Sequence, residues 1–239
     1  MKKHSYDLHV HSCLSPCADD DMTPANIVGM AAVQGLDVVA LTDHNSAKNC
    51  PAFFSVAEKF GILPIAGMEL TTSEDIHVIC LFPSLDSALE FDRIVENRLI
   101  KIKNKPKIFG NQFIMDENDE VQGELESLLI NATTIDTAEA YEICTSLGGA
   151  CYPAHIDRES NGMIAVLGDF PSGIPYGAFE LNDNASYLSY VERFPHLAER
   201  RYVVSSDAHN LWSISEPENF VELDGESKRA ALIKYLRGE

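Results

Sequence analysis

A chain of 239 residues, 45% of them hydrophobic, is large enough to bury a core, which excludes an intrinsically disordered polymer. Its 37 acidic and 18 basic residues leave a formal charge of −19, which argues against a broad grip on long nucleic acid. A small phosphorylated ligand stays open, because bound cations reverse the local sign of a site. No stretch nears the roughly 20 apolar residues of a membrane-spanning helix, and MKKHSYDLHVHS holds no apolar leader. The expectation is therefore a cytoplasmic protein with no membrane partner, its six scattered cysteines reduced.

In chain order, Tyr6–His11 reads as a strand. Thr23-Pro24 opens a helix, with Thr as the cap and Pro at the first helical position; Ile27, Met30, Ala31 and Ala32 follow at helical spacing, and Gly35 closes it. Asp37–Thr42 is a second strand, Ala52–Phe60 a helix ended by Gly61, and Leu63–Leu70 and His77–Phe82 the third and fourth strands. Ser84–Ile102 is amphipathic and helical. Residues 103–131 have too few apolar side chains for a core of their own. They read as an insertion carrying a small hairpin, Gln112–Met115 against Glu120–Gln122, either a lid or a plain surface excursion. A helix over Asp136–Leu147 stops at Gly148-Gly149. Strands follow at Ala150–His155, Ala178–Leu181 and Tyr202–Ser206, then a last helix over about Glu226–Leu236. This alternation predicts an α/β fold of right-handed crossovers in one domain spanning 1–239, with a largely parallel sheet. About seven strands fit a distorted barrel better than an open sheet, and either gathers functional groups at the carboxyl ends of its strands.

Six of the eight histidines (His9, His11, His44, His77, His155 and His209) fall at or beside a strand end, although His77 opens its strand rather than closing it. His9 and His11 are two apart and share a strand face. Asp207 and His209 repeat that spacing, Glu69 closes the third strand, and Asp43-His44 follows the second. A lone histidine is ordinarily a core or surface residue, as read for His4 and His196, but six at one sheet edge are not explained that way. Imidazole with carboxylate suits Zn²⁺, Mn²⁺ or Fe²⁺. Glu69 is the natural bridge between two ions.

Taken in order, these residues resemble the PHP (polymerase and histidinol phosphatase) family. The matching pieces are His9-Val10-His11, Thr42-Asp43-His44, Glu69 followed by His77, His155, and Asp207-Ala208-His209. The chain departs from the family between Ser12 and Thr23-Pro24: counting back from Thr23 aligns Asp19 with the family's Asp ligand, with Asp20 and Asp21 close by. The resemblance implies a TIM-like, distorted (β/α)7 barrel holding two or three divalent ions. His9, His11, Glu69 and Asp207 would hold the first ion, Glu69, His77 and His155 the second, and Asp19, His44 and His209 the third. Asp43 is read as a neighbour of the ligands or a strand-end cap.

The activity implied is phosphoesterase chemistry: a metal-activated hydroxide attacks phosphorus in line while the ions neutralise the charge that builds. His9, Glu69 and Asp207 would form the catalytic set with Arg158, three residues past His155, whose guanidinium suits a bidentate grip on phosphate. The substrate expected is a small phosphomonoester, a nucleotide phosphate or a short oligonucleotide end. The alternatives are metal-assisted hydrolysis of an amide or other carbonyl, and a non-catalytic binding module, which filled ligand positions argue against.

Overall fold

The structure is a computed structural model describing residues 2–225 and 227–239. In chain order the elements are β1 (Lys2–Val10), α1 (Pro24–Gln34), β2 (Val38–Leu41), α2 (Cys50–Phe60), β3 (Leu63–Thr71), β4 (His77–Phe82), α3 (Leu85–Arg98), α4 (Pro106–Phe109), β5 (Phe113–Met115), β6 (Val121–Glu124), α5 (Thr137–Ser146), β7 (Ala150–Pro153), α6 (Met163–Leu167), β8 (Ala178–Leu181), α7 (Tyr187–Arg193), β9 (Arg201–Val204), β10 (Phe220–Leu223) and α8 (Lys228–Leu236). Glu226, where the sequence places the start of the last helix, lies outside the described residues.

The local rules behave as read. Thr23 caps α1 by accepting from the Asn26 amide at 3.2 Å, Pro24 begins the helix, and Gly35, at φ 83°, ends it in a conformation that Gly adopts without strain. The main sheet runs β10-β1-β2-β3-β4-β7, with a parallel pair β8-β9 and a hairpin β5-β6 beside it. The fold is mixed α/β with a strongly curled sheet. An Ile156 amide bond to Glu180 O (2.9 Å) carries the end of β7 to β8, and a parallel bridge between Val10 and Ala208 returns the chain after β9 to β1.

The sheet departs from the parallel expectation in two places: β4 runs antiparallel to both β3 and β7, and β10 antiparallel to β1. For β4 the physical reason is the length of the link. Only residues 72–76 join β3 to β4, closed by Thr72 N donating to Ile76 O at 2.9 Å, whereas a parallel crossover needs about a dozen residues or more. β10, unforeseen in the sequence, pairs antiparallel with residues 2–5 of β1.

Alternate strand residues feed two cores. Tyr6, Leu8, Ile65, Ile79 and Tyr152 face the inside of the curl, which α8 covers with Leu232 and Leu236. Val39, Met68 and Cys80 face outward against α1, α2 and α3, where Phe53 and Phe91 are fully buried. Each such side chain contributes roughly 1.5–3 kcal/mol of burial. Together they hold the strand ends at fixed positions.

Candidate metal centre

His9 and His11, both fully buried, project from one face at the end of β1. Glu69 stands near the end of β3, bridged by backbone to His44 after β2. The reversal of β4 explains how His77 joins them: its first residue pairs with Thr71, the last of β3, and Val78 pairs with Pro153, the last of β7. His155 follows β7 at φ 24°, and Asp207 follows β9 at φ 51°. Non-glycine residues held there cost of order 1–3 kcal/mol each, strain that a functional placement explains.

Glu69 is the hub. Its Oε1 lies 2.8 Å from His77 Nδ1, 3.1 Å from His155 Nε2 and 3.4 Å from His9 Nε2; its Oε2 lies 3.1 Å from His44 Nδ1 and 3.2 Å from His11 Nε2. Asp207 Oδ1 sits 3.3 Å from His9 Nε2 and 3.2 Å from His11 Nε2. The His209 ring stacks on His11 with centroids 4.3 Å apart. Among the described residues three groups have donor atoms within 4.8 Å of one another: His9, His11, Glu69 and Asp207; His44, Glu69 and His77; and His11, His44 and His209.

With the imidazoles neutral, as ligation of a cation requires, hydrogen bonding fixes which nitrogens are bare. His9 Nδ1 donates to Glu180 Oε1 at 2.9 Å, leaving Nε2 as a lone pair. The Ser15 hydroxyl donates to Asp43 at 2.7 Å, so His11 Nδ1 donates to Ser15 at 3.0 Å and its Nε2 is bare as well. His209 Nδ1 donates to the Asp207 carbonyl at 2.7 Å. The Nε2 atoms of His9 and His11 thus face each other at 3.1 Å beside two carboxylates. In that neutral state four electron-pair donors converge, and among the described residues Asp207 Oδ1, His44 Nδ1 and His155 Nδ1 are buried without a hydrogen-bond partner. This donor set fits divalent cations that accept nitrogen and oxygen ligands.

The same crowding governs protonation in the metal-free chain. Burial disfavours charge on His9, but Glu180, Asp207 and Glu69 overcome it and hold its pKa well above the ordinary value. Burial disfavours charge on His11 as well, but the carboxylates of Asp207 and Glu69 beside its Nε2 raise it to about 9. Burial works against ionised Glu69, yet His77, His9 and His44 hold it well below the carboxylate range, and His9 and His11 do the same for Asp207. Burial lowers His44 well below its usual value, against the pull of Glu69, and lowers His209 to about 4 with help from the charge of His11.

Of the residues singled out in the sequence, His9, His11, His44, Glu69, His77, His155, Asp207 and His209 come together. Arg158 pairs with the other oxygen of Asp207 and lines a cleft of about 290 Å³ over the cluster, with Ser160 and Asn161 beside it, Ile130 from the 103–131 segment, and Cys17. Asp19 sits against His209 through its backbone, its amide donating to His209 O at 2.9 Å; its side chain is exposed and belongs to none of the three groups found among the described residues. Asp20 accepts from Asn111 at 2.8 Å.

Sequence reasoning missed two supporting acids. Glu180, buried in β8, orients both His9 and the His155 amide. Asp7 accepts from Ser206 N and Ser215 N, both at 3.1 Å, and so pins the segment carrying Asp207 and His209. Both carried a signal: Glu180 is a lone acid in the apolar run Ala-Phe-Glu-Leu, and Asp7 is two residues before His9 on the same strand face. Asp43, read as a cap or neighbour, accepts from Ser12 N, Ser12 Oγ and Ser15 Oγ at 2.6–2.7 Å.

Comparison with known proteins agrees with this picture. A segment of 109 residues is 31% identical to a 5'-3' exoribonuclease of Haemophilus influenzae, covering 42% of this chain and 39% of that protein. The fold is shared with a lesion-specific endonuclease from Pyrococcus furiosus at a TM-score of 0.68 and 18% identity, over 99% of this chain and 56% of that one. It is also shared with a protein from Bifidobacterium adolescentis assigned as a metal-dependent phosphoesterase, at a TM-score of 0.63 and 18% identity, over 99% and 97% of the two chains. This chain therefore spans about two fifths of the exoribonuclease and just over half of the endonuclease. The PHP domain family model matches residues 7–157, more than half of the sequence, and with the ordered histidines and carboxylates already in place the chain belongs to the PHP domain family.

Proposed function

We propose that this protein hydrolyses a phosphate ester, a small phosphomonoester or the phosphate of a nucleotide or oligonucleotide end, with two or three divalent ions of Zn, Mn or Fe. The observation that carries the proposal is the convergence of the bare Nε2 atoms of His9 and His11 with Glu69 and Asp207 beneath a cleft bearing a guanidinium. The names of the exoribonuclease and the assigned phosphoesterase point the same way.

In this reading His9, His11, Glu69 and Asp207 hold one ion, Glu69, His77 and His155 a second, and His44 and His209 a third, with Asp19 next to His209. Bound divalent ions supply acidified water and positive charge for the phosphate oxygens. The chain's own residues do the rest. Glu180 and Ser15 fix the imidazoles so that they present Nε2, and Glu69 shares its two oxygens between neighbouring positions. Arg158 is half exposed while tied to Asp207, so part of its guanidinium faces the cleft to take phosphate in a bidentate grip. The catalytic set is thus His9, Glu69, Asp207 and Arg158.

The chain is taken as one domain over 1–239, with 103–131 as an insertion, in a distorted (β/α)7 barrel. The Val10–Ala208 bridge, which draws the chain after β9 back to β1, supports that closure. The test is phosphate release from a panel of esters by metal-stripped protein reloaded with Mn²⁺, Zn²⁺ or Fe²⁺, with bound metal counted in each sample. Metal-dependent release is expected. Two or three bound ions with no release from any ester would instead favour carbonyl hydrolysis or a binding role.

A further inference from the structure

No acidic residue falls between Glu96 and Asp116, the longest such gap in a chain with 37 acids. Within that gap stand Lys101, Lys103, Lys105 and Lys107, four of the chain's ten lysines. Every residue from 101 to 109 is exposed except Asn104, and Ile102 (50% exposed) and Ile108 (69%) stand among the cations. Among the described residues the only lysine in an ion pair is Lys48. Glu124 and Glu126 share a hollow with Lys103 but do not pair with it. On a molecule of formal charge −19, four unpaired ammoniums in one short strip make a local field opposite in sign to the rest of the surface.

A run of charge is ordinarily just solvated surface, but both ends of this strip are fixed to the wall of the metal-site cleft. Its start pairs antiparallel with the segment that holds Ile130. Leu99 bridges to Thr133 and Lys103 to Ser127, which brings Lys101 alongside Ile130, a residue of the cleft wall. Its far end is Gly110, pressed against the Pro16 carbonyl, and the next residue, Cys17, lines the same cleft. Between these ends the backbone is held in place. The Asn104 amide donates to Glu126 O at 2.7 Å, its side chain to Gly110 O at 2.9 Å, and Gly110 N to Pro106 O at 2.9 Å. A ligand on this strip therefore pays little to order the backbone beneath it.

Resting on the phosphoesterase reading, we infer that the strip Lys101–Lys107 binds the backbone of a single-stranded oligonucleotide whose terminal phosphate lies over the histidine cluster. Cations follow the phosphates, and Ile102 and Ile108 offer apolar surface to the bases without reading their identity. Four lysines match a few phosphates and no more, so the ligand is a short strand or the end of one, not a long duplex. The substrate class narrows from phosphate esters at large to oligonucleotide ends, which the cleft alone does not distinguish from a mononucleotide.

The test is the salt dependence of binding. Mn²⁺-loaded protein is titrated into a 3′-fluorescein, 5′-phosphorylated decathymidylate with hydrolysis-resistant phosphorothioate linkages, and anisotropy is read at about 50 and 200 mM KCl. Four lysine–phosphate contacts on a single strand predict affinity about 50-fold weaker at the higher salt, and two predict about sevenfold. Lys105→Gln with Lys107→Gln is expected to fall to the smaller factor. Lys59→Gln with Lys234→Gln removes the same charge from two exposed lysines on other helices, and is expected to keep the larger one. No saturable rise in anisotropy, or the same salt factor in both variants, would overturn the inference while metal-dependent phosphate release from small esters would keep the phosphoesterase reading. Reduced salt dependence in the Lys105/Lys107 variant alone, with no release from any ester, would uphold the strip as an oligonucleotide surface and remove the phosphoesterase reading. Capture of the protein by phosphatidylserine vesicles without oligonucleotide binding would assign the strip to a membrane surface and overturn the inference.

Discussion

Glu180 touches no bare donor atom facing the cleft directly, yet it decides how His9 presents itself. A carboxylate behind a ligating imidazole fixes its tautomer, and losing such a partner typically costs 10–100-fold in metal affinity. Glu180→Gln keeps an oxygen for the His155 amide but removes the charge beside His9 Nδ1. Its expected outcome is metal affinity about 10–100-fold weaker with an almost unchanged melting temperature of the stripped protein, read by metal titration and calorimetry. His9→Ala and Glu69→Ala remove donors themselves; each is expected to cut turnover by at least about a hundredfold while the circular dichroism stays that of the folded chain. Protons and metal compete for the same atoms. In the stripped protein His11 is raised from 6.5 to about 9, so the stability it contributes is complete below pH 6.5 and is lost as pH rises through about 9. Urea midpoints of stripped protein should fall across that window, whereas metal-loaded protein, whose His11 nitrogen is occupied by the ion, should not follow. A flat profile for the stripped protein would show that His11 carries no extra proton.

At the scale of elements, the 103–131 segment meets the metal-site loop at a point where only glycine fits. Gly110 has φ 102°, and a Cβ there would lie 2.0 Å from Pro16 O, in the loop that carries Cys17 into the cleft. Gly110→Ala should therefore destabilise the protein by at least about 1 kcal/mol. Gly123→Ala in the hairpin, where the nearest atom is 3.9 Å away, is the matched control and should be near neutral; urea denaturation of the pair is the check. The elements that position the cluster were legible because each announces itself locally: the Thr23-Pro24 cap, the glycine stops, the His9 and His11 alternation. β10 was not, because Phe220–Leu223 alternates buried and exposed residues over only four positions and is specified by pairing with distant β1. Strand direction was hidden in link length, and the place of His77 at a strand opening was the sequence's own hint that β4 is reversed. The donors themselves were readable as types at strand ends. What was not readable was their orientation, which depends on Glu180, Ser15 and Asp7 meeting them across the fold.

For the whole molecule, an ion gripped by ligands from β1, β3 and the segment after β9 binds only the folded chain. Stability must then rise with free metal, by about 2.7 kcal/mol at a concentration one hundred times the Kd. Melting temperature measured across Zn²⁺ or Mn²⁺ concentration should climb accordingly, and a concentration-independent value would mean that the cluster holds no ion. The bridge from Val10 to Ala208 adds a consequence in time rather than in space. Ser206, whose hydroxyl meets His9 O, stands 197 residues further along the chain. During synthesis the ribosome releases His9 and His11 long before Asp207 and His209. A nascent chain from which Asp207 and His209 have not yet emerged lacks two of the converging donors, and loading of the complete cluster waits for that segment.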